Sequence, residues 1–483
     1  MNDITQLAPQ TVWQWFAKIC AIPHPSFHEA ELVQFIIDQV QTEGKSRGMT
    51  VERDSKNNLH ITKPASKGME NRAPVALQAH CDMVAQKADD STHDFIKDPI
   101  QPRIQDQFVY ANHTTLGADN GIGLAMALAV AFSDDIAHPE LHIIITTEEE
   151  TSMGGVNVLQ PEWLSAPYLL NLDTEDDAQI FVGCAGGCDA TFTRQYPQHA
   201  YTGKTLSVKV SGLRGGHSGV NIHEYRGNAN LVLTRVLQAA NQVAPVQLIA
   251  FNGGTVINAI PRSAEAIIVG DESVIAAIEA EAKIIQTELH AVERSLKVEC
   301  TAQETTATVL SQADTQHFLD FVSSFPNGVL RMSDDFAGIV ETSINAGVVT
   351  LEQGDFALKT LMRSLGEMQK QALKQRLAAL SRLAGVEMHT HNDYPGWLPD
   401  PQSKLLELVK PLMATEFGRE PTVQVIHAGL ECGYLKSKAP HMDMVSFGPN
   451  IFNAHSPTEH VQIDSVAKNF ELLEKVLLAI PAK

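Results

Sequence analysis

The sequence predicts an α/β protein: a mixed, mostly parallel sheet flanked by helices, interrupted by an inserted α+β domain of ferredoxin-like lobes. Three observations carry this. In the first 180 residues, short continuous apolar runs alternate with helical stretches: VALQA (75–79), LHIIITT (141–147) and YLLNL (168–172). Strands buried on both faces read this way. The composition changes after GCAGGCD (183–189), and from Lys204 the order becomes strand, helix, strand, strand, helix, strand, the split βαββαβ unit. After the turn DYPGWLPDP (393–401) the α/β pattern resumes. The domains are therefore expected at 1–185 with 396–483, and at 186–395 for the insert.

Ser26-Phe27-His28-Glu29 reads as a capping box, with Ser26 as N-cap. Leu32, Phe35, Ile36 and Val40 then recur at helical spacing, and Gly44 ends the segment. The Gly-rich turn LGADNGIG (116–123) leads into a helix. In the insert the first lobe is LSVKVSG (206–212), NANLVLTRVLQAA (228–240), VQLIAF (246–251), AEAIIVG (264–270), a helix at 273–295 and LKVEC (296–300). A second, looser version runs from about 306 to 391. It has helices at 315–324 and 367–384 and strands at IVETSINAGVVTL (339–351) and ALKTLMRSL (357–365). No sequence repeat links the two lobes.

The chain has 483 residues, 44% hydrophobic and 19% charged, with a mean hydropathy of −0.09. This is the profile of a globular protein with sizeable cores. With 36 Lys+Arg against 57 Asp+Glu, the net charge is −21. That balance argues against nucleic acid, whose phosphates need clustered cations, and against anionic membranes. The N-terminus has no basic residue before Lys18, unlike a secretory signal, and no apolar run approaches a membrane span. The six scattered cysteines are expected to be reduced thiols of a cytoplasmic protein. Cys184 and Cys188, without a second pair, are read as structural.

The acids and histidines fall at strand ends. His80 and Asp82 follow VALQA, Glu148, Glu149 and Glu150 follow IIITT, and Asp173 follows YLLNL. Asp119 lies in the Gly-rich turn. Ligands of open α/β sheets bind beyond the carboxyl ends of strands. One carboxylate after a strand is ordinary turn chemistry, but three strands aiming such groups at one edge are not. Asp173 competes with Glu175, Asp176 and Asp177, and its place at the strand end favours it. Asp82, two residues on, can orient His80. If the strand continues, Glu149 and Glu150 point differently, so one can bind metal and the other face an attacking water. Asp119 can bridge two metals, which together would lower the pKa of a shared water and polarise a carbonyl. His, Asp and Glu without Cys suit zinc, with cobalt or manganese as substitutes.

HCDMV (80–84), GADNGIG (117–123), TEEE (147–150), NLD (171–173), GGHSG (215–219) and AHSPTEH (454–460) together resemble the signature set of the M20 di-zinc peptidases. The resemblance extends through PHPSFHE, KDPIQP, GNAN, NAIPR, YPGW, HAGLECG and MDMVSFGP. It implies that His80 and Asp173 bind one zinc, Glu150 and His455 the other, and that Asp119 bridges them. Glu149 is then the general base, and Asp82 orients His80. His455 is preferred to His460 because it matches the family's His-x-x-x-Glu string. The resemblance also implies a cis peptide after Asp119. Cys81 departs from the pattern, where an aliphatic residue is common, and is expected to be packed away.

From the insert, which the resemblance makes a lid and dimerisation domain, His217 is implied to reach the active site of a partner subunit and stabilise an oxyanion. Asn258 and Arg363 are implied to hold the substrate carboxylate and neighbouring groups, with backbone contacts from Gly429. Glu431 lies near them in sequence without an assigned role. His138, His142, His427 and His441 are read as structural. The implied activity is hydrolysis of dipeptides, including Xaa-His such as β-alanyl-histidine, by a homodimer with two Zn2+ per chain. The alternative on the same scaffold is an aminoacylase, deacetylase or aminotripeptidase. A catalytically silent protein would have lost a ligand or the base, and every one is present.

Overall fold

The computed structural model describes residues 3–483, apart from the side chains at 305 and 306. The chain divides into two compact units. One comprises Met1–Gly183, Pro399–Val425 and Leu430–Lys483; the other comprises Cys184–Leu398 and Ile426–Gly429.

The first unit is built on an eight-stranded sheet. Its order is Thr50–Arg53, Leu59–Lys63, Leu141–Thr146, Val75–His80, Tyr168–Asn171, Asp443–Ser446, Gln179–Cys184, Thr422–Ile426. The four strands from Leu141–Thr146 to Asp443–Ser446 run parallel, and antiparallel strands flank them. Val75–His80 and Leu141–Thr146 are buried at every position, which is why they read as unbroken apolar runs. The helix Ala118–Phe132 is buried all round and packs on Val75–His80 and on the helix Gln10–Cys20. No helix among the described residues is long and apolar enough to cross a membrane. None of the six cysteines is in a disulfide, and Cys81 is buried.

The predicted capping box does not form. The helix begins at Ala30, with Glu29 as its N-cap and no side-chain cap. Ser26 and Glu29 do not bond to each other's backbone but to other partners. Ser26 Oγ donates to Asp82 (2.7 Å), and Glu29 Oε1 accepts from the N–H groups of Phe27 (3.0 Å) and Glu148 (3.1 Å).

The second unit holds a nine-stranded antiparallel sheet whose main path is Lys297–Val309, His199–Ser211, Ala264–Val269, Gln247–Gly253, Val340–Glu352, Asp355–Ser364, Gly186–Gln195, Glu387–Tyr394. The first four strands, with helices Ala229–Val243 and Ser273–Glu288, form one ferredoxin-like lobe. The other four, with Gln312–Ser324 and Glu367–Ala384, form a second. The second lobe does not start near residue 306 as the sequence suggests. Its first strand is Gly186–Gln195, so the whole first lobe lies within it in sequence. The helix expected over 273–295 ends at Glu288. Beyond it Glu293, buried, accepts from the N–H groups of Arg214 and Gly227 (both 2.8 Å), and this pulls the chain out of helical register.

A pair of imidazoles lies on two neighbouring strands of the first unit's sheet, Leu59–Lys63 and Leu141–Thr146. His60 Nε2 and His142 Nδ1 are 2.9 Å apart, the rings stack, and Trp163 stacks on His60. The facing nitrogens can share one proton and cannot both carry one. Burial, with His142 opposite, pushes His60 down to about 4 from its ordinary 6.5. The unfolded chain then binds more protons than the folded one between pH 6.5 and 4, so this stability is complete above pH 6.5 and is lost as pH falls through that window. His60→Gln is expected to flatten the pH dependence of urea unfolding there, by up to about 3 kcal/mol. Parallel curves for variant and wild type would disprove it.

Candidate active site

The parallel strands deliver the predicted groups. His80 ends its strand. After Leu141–Thr146 the chain turns at Glu148, whose φ is 55°, into the short helix Glu149–Ser152. The strand therefore stops before the two glutamates, and strand alternation does not separate them. Both lie on one helical turn, and each brings a carboxylate oxygen within 4.8 Å of a His80 nitrogen. Asp173 follows Tyr168–Asn171. Asp119 comes from the start of Ala118–Phe132, after Gly117 with φ 70°, and its peptide bond to Asn120 is cis, as the resemblance implies.

The candidate ligand atoms converge. His80 Nε2 lies 3.3 Å from Asp119 Oδ1 and 3.7 Å from Asp173 Oδ1. His455 Nε2 lies 3.2 Å from Asp119 Oδ2 and 3.0 Å from Glu150 Oε2. Metal–ligand bonds of about 2.0–2.2 Å in a tetrahedral site place ligand atoms about 3.3–3.6 Å apart, and these separations of 3.0–3.7 Å lie within about 0.3 Å of that range. Glu150 Oε1 is buried without a hydrogen-bond partner, a free lone pair of the kind a cation uses. His460 is not part of this group. It stacks on Tyr110 and Phe452.

The charges favour a cation here. Burial alone would lower His80, but Asp173, Asp119 and Asp82 outweigh it and hold the imidazole well above its usual value. Hydrogen bonds to Asp119 and Glu150 raise His455 to about 11. Burial, with Asp119, Glu431 and Glu150 nearby, pushes Asp173 well up. Burial, Asp173, Glu431 and Glu150 do the same to Glu149. Protons here stand in for the positive charge that the crowded carboxyl groups require.

Asp82 is the hub beneath the ligands. Its oxygens accept from the N–H of Glu149 (3.0 Å), the N–H of Glu150 (3.2 Å) and Ser26 Oγ. It fixes His80 more through its backbone carbonyl, 3.0 Å from Nδ1, than through its carboxylate at 3.5 Å. Burial raises its carboxyl, and the hydrogen bonds from His80, Ser26 and Glu149 more than offset this and lower it. Under the site runs a buried polar chain. Glu431 accepts from Thr146 and Gln78 (both 2.7 Å), Gln78 accepts from Asn171, and Asn171 accepts from Ser446. Nothing in the residue spacing revealed this chain.

The inserted unit gathers its own cluster. His217 Nδ1 accepts from the N–H groups of Gly219 (3.2 Å) and Val220 (3.0 Å), so the ring proton sits on Nε2. That nitrogen faces Arg363 Nη2 of the same chain at 3.5 Å. Burial and Arg363 lower the His217 pKa, which keeps the ring neutral. Two donors turned toward each other point to an acceptor between them. Arg363 is buried, its Nη1 donates to Tyr394 (3.1 Å), and its Nε has no partner. Asn258 is exposed beside the ribbon that pairs His217 with Ala259, and its carbonyl accepts from the Ser218 N–H (2.9 Å). Asn345, missed in the sequence, holds that segment by donating to the carbonyls of Ile257 and Ala259. Gly429 is half-buried at the end of the segment Ile426–Gly429. His427, read as structural, belongs near this cluster. Its Nε2 is 2.7 Å from Ser343 Oγ, and burial, Arg363 and His217 push it down to about 3.

Residues 76–479 match the family model described as Peptidase family M20/M25/M40. The chain is 44% identical, over the full length of both proteins, to the cytosol non-specific dipeptidase of Escherichia coli (strain K12). It superimposes on aminoacylhistidine dipeptidase from Vibrio alginolyticus with a TM-score of 0.96 and 41% identity, covering 99% of this chain and 98% of that one. Aminopeptidase PepT from Bacillus cereus ATCC 10987 shares the fold at 15% identity and a TM-score of 0.55, with 98% of each chain covered. The chain is a peptide hydrolase and belongs to peptidase family M20/M25/M40.

Proposed function

We propose that the protein is a cytoplasmic, homodimeric dipeptidase of broad specificity, Xaa-His substrates included, that works with two zinc ions per chain. The observation that carries the two-ion reading is Asp119, whose two oxygens turn to two different histidines. His80 and Asp173 would hold one ion and Glu150 and His455 the other, with Asp119 within reach of both. Bound divalent cations supply a water of lowered pKa and a polarised scissile carbonyl. Glu149 takes the proton of the attacking water and returns it to the leaving amine, a task suited to a buried carboxyl with raised proton affinity. Arg363 takes the substrate's terminal carboxylate through its planar fork, with Asn258 and Gly429 holding neighbouring groups. The partner's His217 stabilises the oxyanion by a hydrogen bond from its Nε2–H.

The dipeptide preference is supported by the two relatives above 40% identity, both of which are dipeptidases by name. Removing the metal with a chelator is expected to lower dipeptide hydrolysis at least about a hundredfold, and zinc to restore it. The check is amino-acid release from β-alanyl-histidine beside N-acetyl amino acids and tripeptides. Preference for the N-acetyl compounds or tripeptides would replace this reading by the aminoacylase or aminotripeptidase one.

A further inference from the structure

We propose that Glu459 is a positioning residue for the metal centre: it fixes the spacing between Asp119 and His455 from behind. The inference rests on the two-cation reading above. Glu459 is 2% exposed. Its Oε2 accepts from the N–H groups of Leu116 (2.7 Å) and Gly117 (3.0 Å), and its Oε1 from those of Ala118 (2.8 Å) and Asp119 (3.2 Å). Four consecutive backbone donors thus converge on one carboxylate. They lie in the turn that leads into the helix Ala118–Phe132, up to the kink at Asp119 and Asn120, whose φ/ψ are not helical.

A helix cap alone would not need this residue. A local serine or asparagine satisfies one or two such donors, whereas Glu459 lies about 340 positions away and occupies both oxygens. What it joins is the second ligand loop. His455 stands four residues before it, on a tight turn closed by bonds from the Ser456 N–H to Asn453 O, the Glu459 N–H to Ser456 O, and between Ser456 Oγ and Thr458 Oγ1. The strand His460–Gln462 that follows is anchored on Phe108–Ala111. The circuit closes where His455 Nε2 meets Asp119 Oδ2 at 3.2 Å. One side of the circuit is made by side-chain ligands and the other by the Glu459 carboxylate. If the carboxylate yields, the Asp119 backbone can slide relative to His455.

Glu459→Gln tests this, since it is isosteric but turns an amide donor toward backbone donors. Metal-free enzyme is titrated with Co2+ against a competing chelator, followed by visible absorption, well below the melting temperature of either form. The wild type should take two equivalents. In the variant the second equivalent should weaken at least about tenfold relative to the first, with a changed absorption band. Glu459→Asp keeps the charge, shortens the reach by one carbon–carbon bond, and should fall between the two. It supplies the readout if Glu459→Gln does not fold. A purely structural role would lower the melting temperature of the metal-free protein and leave both equivalents of the folded variant at wild-type affinity. That result overturns the proposal. A wild type that takes fewer than two equivalents overturns the two-cation reading itself.

Discussion

Glu149→Gln is expected to lower kcat about 10²–10⁴-fold while the protein still binds its cations. The amide keeps the volume and the backbone bond from the Glu149 N–H to Asp82, so the loop should stay in place. What disappears is a carboxyl at this edge that the proposed ligand set does not use. Burial, with Asp173, Glu431 and Glu150 around it, raises the proton affinity of Glu149, the direction a proton carrier requires. Steady-state kinetics on β-alanyl-histidine, with metal content measured on the same preparation, decides the matter. A variant within threefold of wild type would remove Glu149 from the mechanism. A variant that lost its metal would make it a ligand instead.

Arg363→Ala should cost about 10²–10³-fold in kcat/KM, the range for truncating one partner of a buried charged pair. The sharper readout is selectivity. Against wild type, a dipeptide whose terminal carboxylate is masked as an amide should be a poor substrate. In Arg363→Ala the free acid and the amide should react at similar rates. Arg363→Lys should recover little, because a single ammonium cannot fill the place of a guanidinium that already donates to Tyr394 and faces His217. If the variants still preferred the free acid as strongly as wild type, the carboxylate would be bound elsewhere.

The ligand-bearing edge was legible because parallel strands buried on both faces leave a plain signature, and each ends on its own His, Asp or Glu. Local signals misled where distant partners outbid them. Ser26 and Glu29 have the spacing of a capping box, yet Asp82 and the Glu148 N–H take their side chains. Alternation along a strand gave Glu149 and Glu150 different directions, but a left-handed turn at Glu148 ends the strand first. The second lobe was placed too late because its first strand, Gly186–Gln195, pairs with segments more than 150 residues downstream, and spacing along a chain carries no record of such pairing. His427 looked like any buried histidine. Only its neighbours Arg363 and His217, brought together by the fold, give it meaning.

The parallel strand Asp443–Ser446 lies in the interior of its sheet, between Tyr168–Asn171 and Gln179–Cys184. During synthesis those two neighbours leave the ribosome more than 250 residues before the strand that separates them. Cys184–Leu398, which makes up nearly all of the inserted unit, is complete by then. The first unit must wait with an open slot in its sheet and without His455. Assembly of this half therefore waits on a late stretch of chain, since the strand that closes the sheet comes from the same stretch that carries His455. A nascent chain held short of residue 443 would contain all of the inserted unit and a first unit whose sheet is still open.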